Sequence, residues 1–377
     1  MPTKILFRTD ALDGMGLGHL IRCIALADML KEHFDCVFVI REDSSKAAIL
    51  IKQAAYKFSI IPVLENHSAE AVWFSNNMLT KNEIVVLDGY AFDTDYQKTV
   101  KAKAAKLVCI DDIYAYPFVA DVLINHAGDA DAEKYETAGY TKLCLGSKYS
   151  LLRAPFLKAA KEKRRLGKIE TAFVCLGGMD TSNQLISVLG TLIERLPNLR
   201  KCIVITGSSY GHKPALAKYI AHSKVEIDHQ ENVGASDIVE LMKESQIGIC
   251  TPSGISYEYA CVGGGLFLLQ TADNQNGIRN FLLQESAADL LENLTTDYDI
   301  EMHLRNQRTL FDGLVGRRFV GLFRNLERVE EGGKWWKRVE EGLPVVCSNS
   351  DSLIVKKENE YNLPTHTRKT FPTFTKP

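Results

Sequence analysis

Three glycines and a histidine, Gly14-Met-Gly16-Leu-Gly18-His19, stand between an apolar run and an amphipathic stretch of the 377-residue chain. Glycines at a strand-to-helix turn let the backbone come close to a ligand. The amides that open the following helix favour negative charge there, and the same field favours a neutral imidazole. His19 is therefore a candidate general base, with Asp10 and Asp13 near enough in sequence to orient its ring. As a dinucleotide fingerprint the stretch is poor, because His19 stands where GxGxxG needs its last glycine.

A second set of candidates lies in the other half of the chain. Val174-Cys-Leu-Gly177-Gly178 reads as a strand ending in a glycine turn, and Thr206-Gly207-Ser208-Ser209 repeats the theme. In Thr251-Pro252-Ser253-Gly254-Ile255-Ser256, small residues at an expected helix start leave amides open to a phosphate. Pro252 removes one donor, so phosphate contacts would begin at Ser253. Glu258 is expected in the first turn of that helix, where its carboxylate either accepts from a ribose diol or simply complements the helix dipole. Asp273-Asn274-Gln275 offers amides suited to sugar groups, with a plain helix cap as the competing account.

The elements that must carry these residues alternate regularly. Apolar runs at 5–7, 36–40, 84–87, 107–110 and 122–124 read as buried parallel strands with helix-length segments between them. After the charged stretch at 157–168 a second series follows at 172–176, 202–206, 225–227, 247–250 and 266–269. This predicts an α/β protein with two Rossmann-like, doubly wound parallel-sheet domains facing a cleft. Their expected extents are 1–156, carrying the base, and 157–328, binding the nucleotide. The tail at 329–377 loses its period, carries breakers and the pair Trp335-Trp336, and receives no role.

Composition narrows the function classes. The chain is 46% hydrophobic and 24% charged with net charge −2, which argues against a nucleic-acid surface. No apolar run has membrane-spanning length. The start runs straight into a strand, so no signal peptide is expected. Nine cysteines occur without a CxxC pair and read as buried, reduced thiols of a cytoplasmic protein. No residue cluster calls for a metal, and no cofactor is expected.

The stretch 7–30 resembles the opening of the UDP-sugar hydrolases of pseudaminic acid biosynthesis, which release UDP from UDP-2,4-diacetamido-2,4,6-trideoxy-β-L-altropyranose. The resemblance continues through "VLDGYAFD", "VCIDDIYAYPFVADVLIN", "LCLGSKYSLLRAPF", "VCLGGMDTSN" and "TPSGISYEYACVGGGLFLLQTADNQNGI", covering about residues 4–325. It implies a GT-B architecture related to MurG-type glycosyltransferases, with water attacking the anomeric carbon. It further implies His19 as the activating histidine and Tyr90 as a sugar-site tyrosine. Ser253 to Ser256 would match the pyrophosphate site, Glu258 the ribose ligand, and Asn274 and Gln275 the amides near the sugar. Where family members can read Asp-His-Tyr, this chain has Asp88-Gly89-Tyr90. The implied partners are a small UDP-sugar and other enzymes of the pathway, with neither nucleic acid nor membrane insertion. The competing reading is a GT-B glycosyltransferase using the same donor. An NAD-dependent oxidoreductase is disfavoured by the glycine spacing, and a non-catalytic binding module would not need His19.

Overall fold

The computed structural model describes residues 2–10, 17–177, 180, 182–207 and 209–327, with the side chain of Asn274 left out. Asp13, Gly16, Gly178 and the tail at 329–377 therefore lie outside the described residues.

The first half alternates strand and helix: β1 (Lys4–Thr9), α1 (Gly18–Leu30), β2 (Asp35–Arg41), α2 (Ser45–Gln53), β3 (Lys57–Ile61), α3 (His67–Met78), β4 (Ile84–Asp88) and α4 (Thr94–Lys101). It closes with β5 (Lys106–Ile110), β6 (Val122–Asn125) and β7 (Lys142–Leu145), after which α5 (Ala154–Ala159) leads into the second half. There the series is β8 (Thr171–Cys175), α6 (Gln184–Arg195), β9 (Lys201–Thr206), α7 (Lys213–His222), β10 (Glu226–Glu231), α8 (Ala235–Glu244) and β11 (Ile247–Cys250). It ends with α9 (Gly254–Val262), β12 (Gly265–Leu268), α10 (Asn276–Gln284), β13 (Asp289–Leu290), α11 (Ile300–Leu310) and α12 (Val315–Glu327).

Seven strands form one parallel sheet in the order β3-β2-β1-β4-β5-β6-β7, and six form another in the order β10-β9-β8-β11-β12-β13. Successive residues of a strand point to opposite faces, and both faces are apolar, so both must be covered. On β1, Ile5 and Phe7 join a core with α1, while Leu6 joins Phe74 and Val100 on the other face. On β8, Phe173 packs with α5, α8 and α9, and Val174 packs with α6. The edge strands β3, β7 and β10 escape the expected strand positions wholly or in part. An edge strand has a solvated side, and Glu226–Glu231 has no buried residue at all.

The last helix departs from the expected division of the chain. Val315, Phe319, Leu322 and Phe323 of α12 are buried with Ile5, Phe7 and α1 in the core of the first half. A helix with one apolar stripe goes wherever an apolar face is open to it, and α1 presents one.

Each sheet has one place where chain order reverses, between β1 and β4 and between β8 and β11. Loops leaving such a pair diverge and open a crevice beyond the carboxyl ends of the strands. The described candidates fall at or beside these two crevices.

Candidate active site

His19 is the second residue of α1, set at the carboxyl end of β1. The pairing of Thr9 with Asp88 brings the end of β4 beside it. Asp88 is fully buried, and its Oδ1 lies 2.8 Å from His19 Nδ1. One turn along α1, Arg22 donates to the same carboxylate through Nε at 2.7 Å and Nη2 at 2.6 Å, and it reaches Asp112 through Nη1 at 2.7 Å. The Cys23 thiol adds a donor to Asp88 Oδ2 at 3.4 Å. Burial alone would raise the Asp88 carboxyl, but Arg22 and the histidine more than offset this and hold it below its usual range. Asp88 is thus an ionised acceptor. Arg22 Nη2 stands 2.9 Å from the same His19 Nδ1. In the tautomer whose Nδ1 hydrogen goes to Asp88, Nε2 carries the lone pair.

Among the described residues the carboxylate against His19 Nδ1 is Asp88, not Asp10; Asp13 lies outside them. Asp10 is buried close by, where burial raises its carboxyl and Arg8 partly restrains it. Its Oδ1 faces Arg8 at 3.6 Å, and Arg8 in turn is held by Glu70. Asp10 also accounts for Gly89: a Cβ at that position would run into the Asp10 carboxylate. A histidine there, as other members of the resembling family can carry, needs Asp10 to move.

Tyr90 meets the His19 ring edge-on, with centroids 4.6 Å apart, and remains 48% exposed, so its face is available to a ligand. Burial of its inner part and the nearby Asp112 raise its phenol. His126, directly after β6, also borders the cluster. Its Nδ1 is buried without a partner, and burial followed by the charge of Arg22 lowers the ring to about 4, so it is neutral.

At the second crevice the chemistry is different. Gly177 follows β8 with φ of +86°, a conformation that favours glycine. Ser253 caps α9 in extended conformation, and Gly254 begins the helix with open space where a Cβ would stand. The Ser256 amide and hydroxyl both turn back to the Ser253 carbonyl, at 3.0 and 2.7 Å. This leaves the amides of Gly254 and Ile255 as the donors the helix itself cannot use. Glu258 falls in the second turn rather than the first. It is buried, and Arg153 grips it with Nε–Oε1 at 2.7 Å and Nη2–Oε2 at 2.8 Å. Gln275 stands at the N-cap position of α10 without a side-chain cap hydrogen bond, and its amide group instead accepts from the Thr271 amide and donates to the Thr271 hydroxyl. Asp180 caps α6 through the amides of Gln184 and Leu185. Among the described residues no group of three His, Cys, Asp or Glu side chains is arranged to hold a metal ion.

The two crevices belong to touching surfaces. The Gly128 amide, in the loop after β6, donates to the Tyr257 hydroxyl on α9 at 2.9 Å. The Asp129 carboxylate fills the space beside Gly277 on α10.

No protein-family model matches the chain. It is 27% identical over 289 residues to the UDP-2,4-diacetamido-2,4,6-trideoxy-beta-L-altropyranose hydrolase of Campylobacter jejuni, covering 75% of this chain and 97% of that one. The resemblance read from the sequence stands. MurG of Acinetobacter baumannii superposes with a TM-score of 0.50 at 13% identity, over 90% of this chain and 99% of that one. The MnaA protein of S. aureus, solved with UDP, gives 0.53 at 10% identity over 86% and 97%. The architecture is GT-B. At these identities the two solved structures speak for the fold alone.

Sequence reading singled out His19 but not Asp88 and Arg22 beside it, nor Asp112 beyond Arg22, nor Arg153 beside Glu258. A signal was present: Asp88 closes an otherwise apolar strand, and Arg22 stands among the buried residues of α1.

Proposed function

We propose that this chain hydrolyses a UDP-activated sugar, with 2,4-diacetamido-2,4,6-trideoxy sugars as the substrate class. The observation that carries the reading is the 2.8 Å contact between His19 Nδ1 and an ionised, buried Asp88. The likeness to the altropyranose hydrolase of Campylobacter jejuni adds the substrate class.

In this reading His19 Nε2 takes a proton from water as the water oxygen bonds to the anomeric carbon. The bond from that carbon to the β-phosphate oxygen breaks, and its electron pair leaves with UDP. Asp88 stabilises the imidazolium, as a carboxylate behind a catalytic histidine does without itself taking the proton. A base of this kind contributes roughly 10²–10⁴-fold. UDP is a good leaving group, and the Gly254 and Ile255 amides offer its phosphates donors without a metal. Glu258 serves the ribose, and Tyr90 and Asn274 serve the sugar. Asp13, Gly16, Gly18, Gly177 and Gly178 complete the proposed lining. The base-bearing and nucleotide-binding roles divide between the halves. A cytoplasmic setting and association with enzymes of the same pathway complete the reading.

The test is incubation with a panel of UDP-sugars, following UDP release with and without acceptors. Release in water alone, lost in His19→Ala, is the expected result. Release that requires an acceptor would make the chain a glycosyltransferase instead.

A further inference from the structure

Arg153 lies immediately before α5, on the segment that carries the chain from the first sheet to the second. Its guanidinium forms a two-pronged pair with Glu258, at 2.7 and 2.8 Å. On its other side it stacks over the buried Phe156 ring, 5.0 Å from the centroid. A planar fork fixed on both sides holds a carboxylate in one orientation, which a lysine ammonium cannot do. A carboxylate offers about four lone-pair sites, and the fork uses two, so the outer pair stays open to a diol.

We propose that Arg153 is a positioning residue for nucleotide binding: it fixes and charges the Glu258 carboxylate so that its outer lone pairs accept both ribose hydroxyls. The proposal rests on the reading of Glu258 as the ribose ligand. It also makes the segment joining the two halves part of the nucleotide site.

The electrostatics give the proposal its signature. Burial raises the Glu258 carboxyl, and Arg153 pulls it back. The other titratable groups felt at this carboxylate are the thiols of Cys175 on β8, Cys250 on β11 and Cys261 on α9. Burial pushes all three up, so they stay neutral and cannot replace the guanidinium. Without Arg153, the carboxyl protonates at a higher pH and loses acceptor capacity.

The experiment is calorimetry with UDP at pH 6 and pH 8. It compares wild type, Arg153→Gln, Arg153→Lys, Glu258→Gln and the double variant Arg153→Gln/Glu258→Gln. Affinities are expressed relative to wild type at the same pH, which removes the titration of UDP itself. Arg153→Gln should weaken UDP about tenfold or more at pH 6 and recover part of the loss at pH 8. The double variant should bind no more weakly than Glu258→Gln, because Arg153 acts only through that carboxylate. A merely structural arginine would lower the melting temperature without producing this pH dependence. Should Arg153→Gln fail to fold, Arg153→Lys keeps the charge and loses the fork. It should lose affinity to the same extent at both pH values. Wild-type affinity in the arginine variants, beside weakened binding in Glu258→Gln, would overturn the proposal and leave the ribose reading intact. Wild-type affinity in Glu258→Gln would overturn both.

Discussion

The two crevices occupy equivalent places in two sheets of the same design, yet they are built from opposite materials. Beyond β1 and β4 lie ionised side chains locked into a network: Asp88 with Arg22 and His19, Arg22 with Asp112, and Arg8 with Asp10 and Glu70. Beyond β8 and β11 the described residues are mainly small, Gly177, Thr251, Ser253 and Gly254, with Asp180 turned to the start of α6 and the Arg153–Glu258 ion pair behind them. Fixed side-chain charges set the proton affinity of a neighbour, which general-base chemistry requires. Backbone amides at a helix start hold an anion without titrating, which a nucleotide diphosphate requires. On the proposed reading one topology yields a reactive end and a binding end, and what separates them is which side chains fill the crevice.

The sharpest way to break this contrast is to remove the reactive pair. His19→Ala and Asp88→Asn should each lower turnover by about two orders of magnitude or more, while UDP affinity stays within a few-fold. Near-normal single-turnover release from either folded variant would take the pair out of the mechanism. Asp88→Asn should also melt at a lower temperature, since it leaves Arg22 buried with less compensation.

The binding end has its own probe. Gly254→Pro deletes one amide at the first helical position, where proline is tolerated and where the structure leaves room. Melting should be almost unchanged, and UDP should bind weaker by about 1–2 kcal/mol. Unaltered affinity by calorimetry would send the phosphates elsewhere.

Each half also holds a histidine whose ring is pushed toward the neutral form, which sharpens the comparison through pH. His126 in the first half and His303 in the second are each lowered to about 4, burial being the largest cause for both. Between the ordinary histidine value and that figure, the unfolded chain takes up a proton that the native ring refuses. Stability is therefore unaffected by these rings above about pH 6.5 and falls as the pH drops toward 4, by about 1.4 kcal/mol per unit for each. Urea midpoints at pH 7 and pH 5 read the slope. His303→Gln should flatten it by one ring's share, and an unchanged slope would count against the assignment. The smallest expected effect is from EDTA, which should leave UDP release intact. Loss of activity with recovery on added Mg²⁺ would replace the amide account with a metal one.

Much of this was legible in the sequence because it depends on local order. Alternating apolar runs and helical periods impose two doubly wound sheets, and the amphipathic run that begins at His19 sets its ring at a helix start. The small residues from Ser253 to Ser256 mark an anion-ready helix in the same way. What the sequence could not supply is any pairing between distant segments. His19 and Asp88 are 69 positions apart and meet only because β4 pairs with β1, whereas the nearer Asp10 turns to Arg8. Arg153 and Glu258 are 105 apart and meet only because α5 packs on α9. The Ser256 hydroxyl and the Gln275 amide group are taken up by neighbours three and four residues away, a local choice that residue type alone does not announce. Residue type and local spacing determined which chemistry the chain carries. The packing of the two sheets decided which carboxylate stands behind each reactive group, because a carboxylate's charge acts only over the few ångströms that folding closes.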